Sequence, residues 1–327
     1  MVPEEKLLKE LMLIPSPSGN EVKIGEYVFN ILEKNGFSVK KYPVDKGRFN
    51  LVATHGKPNV YLAAHMDTVS PMLEYRETNS HVLGRGSCDT KASVACMITA
   101  AIKAKEDGCK NFGLIFTVGE EITLDGAKAI VKSGLSLPFV VVGEPTSLEI
   151  VNGHFGILVL EISVKGKAAH SSRPEQGINA IDILLDLMMK VRNIPLGKGT
   201  LMSLVKIEGG IADNIIPAEA KAVLSFRVSP DDTIDYFNKI KSISPKSAKI
   251  TVVQEVEPVY CDVPRELSFI KAVKTVKYLT ELSFYKKGIV LGPGDIKYAH
   301  GFDERVPKNE LGEAVKIYGR IIKNFSG

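Results

Sequence analysis

A set of imidazoles and carboxylates stands at the ends of apolar runs, where a β-sheet could gather them. His65 and Asp67 follow NVYLAA (59–64), Glu120 and Glu121 follow FGLIFTV (112–118), and Glu144 follows LPFVVVG (137–143). His300 lies in GPGDIKYAHG, beyond a strand expected at 284–291, and Asp89 follows GRGSC at the head of a helix expected near 90–106. Open α/β sheets bind ligands outside the carboxyl ends of their strands, so these segments can converge. Neutral imidazole with carboxylate is the donor set of zinc, manganese or cobalt.

Singly, each residue has an ordinary explanation. A His or Asp at a strand end forms turns, Asp89 can cap the helix that follows, and Glu120 and Glu121 can begin a helix with the dipole in their favour. Together they divide among the roles that a pair of metal ions requires. Two ions about 3.5–4 Å apart need a bridging carboxylate, and an Asp at a helix start is short and stiff enough. His65, His300, Glu121 and Glu144 supply one imidazole and one further carboxylate to each ion. Asp67, two residues from His65, suits the acceptor of its second ring N–H. Glu120, beside a ligand and without a metal of its own, is left as the general base.

The elements that must position these residues alternate β and α through the first half, with a further helix at 123–133 ended by Gly134. That alternation predicts an α/β fold, a mostly parallel sheet with helices on both faces. After Gly153 the pattern changes to a strand at 155–165, a helix at 178–193, strands at 200–208 and 217–228, a helix at 231–241 and a strand at 249–257. The order β-α-β-β-α-β is that of a ferredoxin-like α+β unit. The chain then returns to α/β character with a helix at 265–280, the strand at 284–291 and a last helix at 309–324. The division is therefore 1–153 with 258–327 as a catalytic domain and 154–257 as an inserted one.

Composition excludes several classes. The chain of 327 residues is 44% hydrophobic and 24% charged, ordinary for a globular protein. No stretch approaches the roughly 18–20 apolar residues of a membrane helix, and the opening MVPEEKLLKELMLIP carries acids where a signal peptide carries bases. The expected location is the cytoplasm. The four cysteines, Cys88, Cys96, Cys109 and Cys261, form no CxxC pair, so neither a disulfide framework nor a zinc knuckle is indicated. Lysines are dispersed within a net charge of +4, which suits no nucleic acid and leaves room for a weakly acidic partner. Phosphate-loop, dinucleotide and GxSxG signatures do not occur.

The segments HMDTV, GRGSCDTKASVA, GEE, GEPTS and AHGFDE, in this order along nearly the whole chain, resemble the co-catalytic metallopeptidase family of carboxypeptidase G, acetylornithine deacetylase and succinyl-diaminopimelate desuccinylase. The resemblance implies the phosphorylase/hydrolase-like metallopeptidase fold with the inserted domain as lid and dimerisation unit. It implies two divalent ions, zinc with cobalt or manganese as alternatives, one on His65, Asp89 and Glu144 and the other on Asp89, Glu121 and His300. Asp67 becomes the orienting acid, and Glu120 the base that later protonates the leaving amine. GKAAHSSRPEQGINAI is similar to the family's lid segment, whose histidine, here His170, reaches the partner subunit's site to stabilise the oxyanion. Asn214 and Arg227, in ADNIIPAEAKAVLSFRVSP, match positions that bind a substrate carboxylate, for which an Arg fork is suited.

Within the family, IPSPSGNE, GPGD and the short chain look most like the LysK-type hydrolases of lysine and arginine biosynthesis. These release lysine or ornithine from the γ-glutamyl end of LysW, an acidic amino-group carrier protein. The expected function is that reaction, in a homodimer. Gly301-Phe302 departs from the Thr-Pro that relatives often carry after this histidine. The alternatives are an acetylornithine or acetyl-lysine deacetylase, a related dipeptidase or aminoacylase, and, more distantly, a non-catalytic metal-binding protein. Glu120 argues against the last, since a site kept only for binding needs no spare base.

Overall fold

The computed structural model describes residues 4–45, 47–270 and 273–326. Its contacts divide the chain into two compact units. One is Met1–Gly153 with Cys261–Thr275 and Thr280–Gly327, and the other is His154–Tyr260 with Val276–Leu279.

The first unit is α/β. Its sheet runs in the order Ser38–Asp45, Arg48–His55, Phe112–Thr117, Val60–His65, Val140–Val142, Gly288–Val290 and Ile150–His154. From Phe112–Thr117 to Gly288–Val290 neighbouring strands are parallel, and the outer pairs are antiparallel. Every residue of Val60–His65 and Phe112–Thr117 is buried, so both faces of the sheet are covered, as unbroken apolar runs require. The helix Lys91–Glu106 packs on Val60–His65 and against the helices Glu4–Met12 and Lys308–Phe325. The helices Val22–Lys34 and Asp125–Lys132 pack on the outer strands.

Between residues 258 and 291 the structure departs from the sequence reading. The helix expected at 265–280 is not formed by the described residues there. They give a 3-10 turn, Arg265–Leu267, and a strand, Val273–Val276, with 271 and 272 outside the described residues. The strand expected at 284–291 shortens to Gly288–Val290 behind a second 3-10 turn, Glu281–Phe284. Apolar spacing in KAVKTVKYL suits a helix, but its valines and threonine are β-branched and stiff at χ1, and tertiary pairing decides. The hairpin Ser38–His55 and the strand Ile150–His154 form as well, beyond the strands that the sequence pattern predicts.

The second unit is a four-stranded antiparallel sheet in the order Leu201–Gly209, Glu219–Val228, Gly156–Lys165 and Ala248–Val256. The helices Ala180–Arg192 and Tyr236–Ile243 pack on it, giving the ferredoxin-like order β-α-β-β-α-β. Alternate residues of Gly156–Lys165 are buried, so one face of that strand meets the core. Both helices start on side-chain caps. Asn179 accepts the Ile181 N–H at 3.0 Å and Asp235 the Asn238 N–H at 2.9 Å. The Asp235 cap explains why this helix begins later than the expected 231. Among the described residues no helix is long and apolar enough to cross a membrane.

One close approach ties the fold to the carboxylate cluster. Gly143, just before Glu144, lies so near the helix Lys91–Glu106 that an added Cβ would stand 2.6 Å from Met97 Cε and 2.7 Å from Ser93 Cβ. Gly143→Ala is therefore expected to destabilise the first unit by about 1–3 kcal/mol, the usual cost of overpacking a core. Urea unfolding should show a lower midpoint with an unchanged slope; an unchanged midpoint would contradict this packing.

Candidate metal centre

Three strand ends and two connecting segments carry the site. His65 is the last residue of Val60–His65, Glu120 and Glu121 turn away from Phe112–Thr117, and Glu144 follows Val140–Val142. The turn at Gly119 has φ +71°, where a Cβ would meet Asp125 Oδ1 at 2.1 Å, so only glycine fits. Asp89 stands before the helix Lys91–Glu106, whose N-cap position, Thr90, makes no side-chain cap bond. The Thr90 hydroxyl instead donates to the Gly143 carbonyl, and the Asp89 carboxylate is free to face the histidines. His300 adopts φ +63°, a left-handed conformation that costs free energy in a residue with a side chain and clusters at functional sites.

The geometry centres on Asp89. His65 Nε2 lies 3.0 Å from Asp89 Oδ1, and His300 Nε2 lies 3.2 Å from Asp89 Oδ2. His300 Nε2 is also 2.8 Å from Glu121 Oε2, and His65 Nε2 is 3.8 Å from Glu144 Oε1. Ligand atoms of His65, Asp89 and Glu121 all lie within 4.8 Å of one another. His65 Nδ1 is 2.9 Å from the main-chain carbonyl of Asp67 and 3.5 Å from its carboxylate Oδ1. A carbonyl only accepts, so Nδ1 donates and Nε2 is the nitrogen that faces the cluster. The Asp67 carboxylate mainly holds the next loop. It accepts the Glu120 and Glu121 N–H groups at 3.1 and 3.2 Å and the Ser18 hydroxyl at 2.6 Å.

Two further residues support the site without having been singled out in the sequence. The buried Glu304 accepts the Cys88 and Asp89 N–H groups at 3.0 and 3.1 Å, and Arg85 clamps its other oxygen at 2.5 Å. Glu304 closes the motif AHGFDE, four residues after His300, and that proximity was its only signal. Ser18 lies in IPSPSGNE and had no metal-ligand character to mark it. Of the remaining predicted residues, His170, Asn214 and Arg227 belong to the second unit. There His170 Nδ1 pairs with the Ser172 hydroxyl at 2.8 Å, the Ser171 N–H donates to the Asn214 carbonyl at 2.9 Å, and Arg227 lies on Glu219–Val228 opposite Ile157 and Leu201.

The donor set fits divalent ions. Glu121 Oε1 and Glu144 Oε1 are buried without a hydrogen-bond partner, an arrangement that disfavours the charged forms unless a cation joins them. Burial pushes the Glu144 and Glu120 carboxyls well above their usual range, and Asp89 adds to this, while His65 opposes it. Burial raises Glu121 too, against its hydrogen bond to His300. Burial works equally against ionised Asp89, yet hydrogen bonds to His300 and His65 hold it below its usual value. His300 is raised to about 10 by Asp89 and Glu121. Burial alone would lower His65, but hydrogen bonds to Asp67 and Asp89 leave it well above its ordinary value. Protons and divalent ions would therefore compete for the imidazole nitrogens. Zinc uptake at pH 7.5 is expected to release roughly one to two protons, because ligands must deprotonate. Calorimetry in buffers of different ionisation heat measures this; a buffer-independent enthalpy would contradict it.

The profile of Peptidase family M20/M25/M40 matches residues 61–324. The chain is 34% identical to a peptidase M20 domain-containing protein of Schizosaccharomyces pombe, across 97% of this chain and 83% of that protein. It is 32% identical to a probable carboxypeptidase of Aspergillus niger, across 96% of this chain and 88% of that protein. A tripeptidase of Staphylococcus aureus has the same fold, with a TM-score of 0.85 and 23% identity over 100% of this chain and 99% of that one. With the carboxylate–imidazole cluster at its strand ends, the chain belongs to peptidase family M20 and is a hydrolase of peptide and amide bonds.

Proposed function

We propose that this M20 hydrolase uses two divalent ions, zinc or a similar metal, to release an amino acid with a free α-carboxylate from an amide. The observation that carries this reading is Asp89, shared between His65 and His300 at hydrogen-bond distance, with Glu120 left uncommitted beside ligand Glu121. His65, Asp89 and Glu144 would hold one ion, and Asp89, Glu121 and His300 the other. When bound, the ions supply Lewis acidity, polarising the scissile carbonyl and lowering the pKa of water. Glu120 takes the proton of the attacking water on its carboxylate and returns it to the departing nitrogen. Asp67 keeps Glu120 in place through the loop N–H groups. Asn214 and Arg227 grip the α-carboxylate of the leaving amino acid.

For the donor we propose the γ-glutamyl end of a small acidic carrier protein of the LysW kind, with lysine or ornithine released. Its support is the likeness to LysK-type hydrolases and a sequence pI near 8.6, which favours encounter with an acidic partner. A second reading, hydrolysis of small free peptides, draws support from the names of the carboxypeptidase and tripeptidase relatives. We further propose a homodimer joined through the second unit, with His170 acting in the partner's site. The strand Leu201–Gly209, an edge of its sheet, exposes Leu204, Val205 and Ile207, the kind of edge that pairs with another chain.

Glu120→Gln is expected to retain its metal and lose activity by about 10²–10⁴-fold, read by metal analysis and kinetics; normal turnover would remove Glu120 from the role. Mixing inactive Glu120→Gln with inactive His170→Ala should restore activity if subunits exchange, and no recovery after demonstrated exchange counts against the shared site. The donor is tested by kcat/KM for carrier-linked lysine, acetyl-lysine and tripeptides across a salt series. Carrier turnover should dominate and fall as the Debye length shrinks toward about 8–10 Å. Equal use of a free peptide or acetyl amino acid, with no response to salt, favours the second reading or a deacetylase.

A further inference from the structure

Glu281 is used neither as a ligand nor in the proposed reaction, yet it lies among the residues that are. It opens the 3-10 turn Glu281–Phe284, where the Thr280 hydroxyl accepts the Leu282 N–H at 3.2 Å. Its side chain is 1% exposed. The Tyr285 hydroxyl approaches Oε2 at 3.5 Å, while Oε1 is buried with no partner; the Thr117 hydroxyl, 3.4 Å from the Ala64 carbonyl, also favours the ionised carboxyl. Thr117 ends the strand from which the Glu120–Glu121 turn departs. Thr117 stands opposite His65 in the parallel pairing of their strands, and burial first, with Glu281 among the lesser causes, keeps the Glu120 and Glu144 carboxyls high. Lys128, on the packed helix Asp125–Lys132, lies 5.8 Å over the Phe284 ring.

A buried carboxyl with an unpartnered oxygen disfavours the fold unless some charge compensates it, and an apolar residue of similar size would avoid that cost. The long contact to Tyr285 and the single Thr117 hydroxyl do not supply such a charge. A pair of dications among His65, Asp89, Glu121, Glu144 and His300 would.

We propose that Glu281 is a positioning residue of the metal centre, one that strengthens its hold on cations from outside the ligand set by adding negative charge and fixing the end of the Thr117 strand. This rests on the reading of the cluster as a metal centre. Burial pushes the Glu281 carboxyl up to about 7, with Thr117 and His65 opposing, so its charge is mostly present at pH 8 and mostly absent at pH 6.

Zinc affinity, measured by competition with a chromophoric chelator, tests this on wild type, Glu281→Gln and Glu281→Asp at both pH values. Residues outside the ligand set typically alter metal affinity by about 10–100-fold. Wild type should bind zinc more tightly than Glu281→Gln by about that factor at pH 8, with the gap narrowing at pH 6. Glu281→Asp should keep a pH-dependent advantage over Glu281→Gln. Glu281→Leu serves the same comparison if the Gln variant does not fold. Equal affinities at both pH values overturn the proposal, and so does a gap that ignores pH, which would mark a packing role. A wild-type chain that takes up no zinc overturns the metal-centre reading and this proposal together.

Discussion

Asp89 is drawn from two sides, by His65 through one oxygen and by His300 through the other, and much of the first unit serves to hold it there. Its own N–H is fixed by Glu304, which Arg85 anchors in turn. The His65–Asp89 pair is buried, and a buried ion pair is weak support for stability, because desolvation offsets most of the attraction. It does define one position for the backbone ahead of the helix Lys91–Glu106. The Thr90 hydroxyl bonded to the Gly143 carbonyl ties that position to the strand end that precedes Glu144. That bond thus joins the start of the helix behind the shared carboxylate to the end of the strand Val140–Val142.

Electrostatics explains why such a site is worth building. Burial raises Glu120, Glu121, Glu144 and Glu281, and the two histidines answer by holding protons above their ordinary range. A cluster of carboxyls kept from water is a poor way to stabilise a protein and a good way to bind a dication. The stability given up at this edge is offset by the sheet behind it, where Val60–His65 and Phe112–Thr117 are buried throughout. Local conflict at a site, supported by consistent packing elsewhere, is the pattern expected of functional residues.

The sequence disclosed the parts that follow periodic rules. Unbroken apolar runs marked the parallel strands, and the residue after each run fell into the cluster because strands of one sheet end at one edge. The ferredoxin-like order of the second unit was legible for the same reason. The hairpin Ser38–His55 was not, since its first strand alternates polar and half-buried residues among lysines and reads as a loop. The segment 265–284 failed because its elements are three or four residues long, too short for any period to appear. Glu281 and Glu304 stayed hidden because their meaning lies in burial and in neighbours far along the chain, Thr117 for the one and Cys88 and Asp89 for the other. No spacing rule connects Glu304 to Cys88, or Glu281 to Thr117.

The proposed pair of metal ions depends on Asp89 being shared between them. Crystals of the zinc-loaded chain, measured on either side of the zinc absorption edge, test it most directly. Two anomalous peaks about 3.5–4 Å apart are expected, with one oxygen of Asp89 near each, His65 and Glu144 at the first and His300 and Glu121 at the second. A single peak, or two peaks that do not share Asp89, would contradict it.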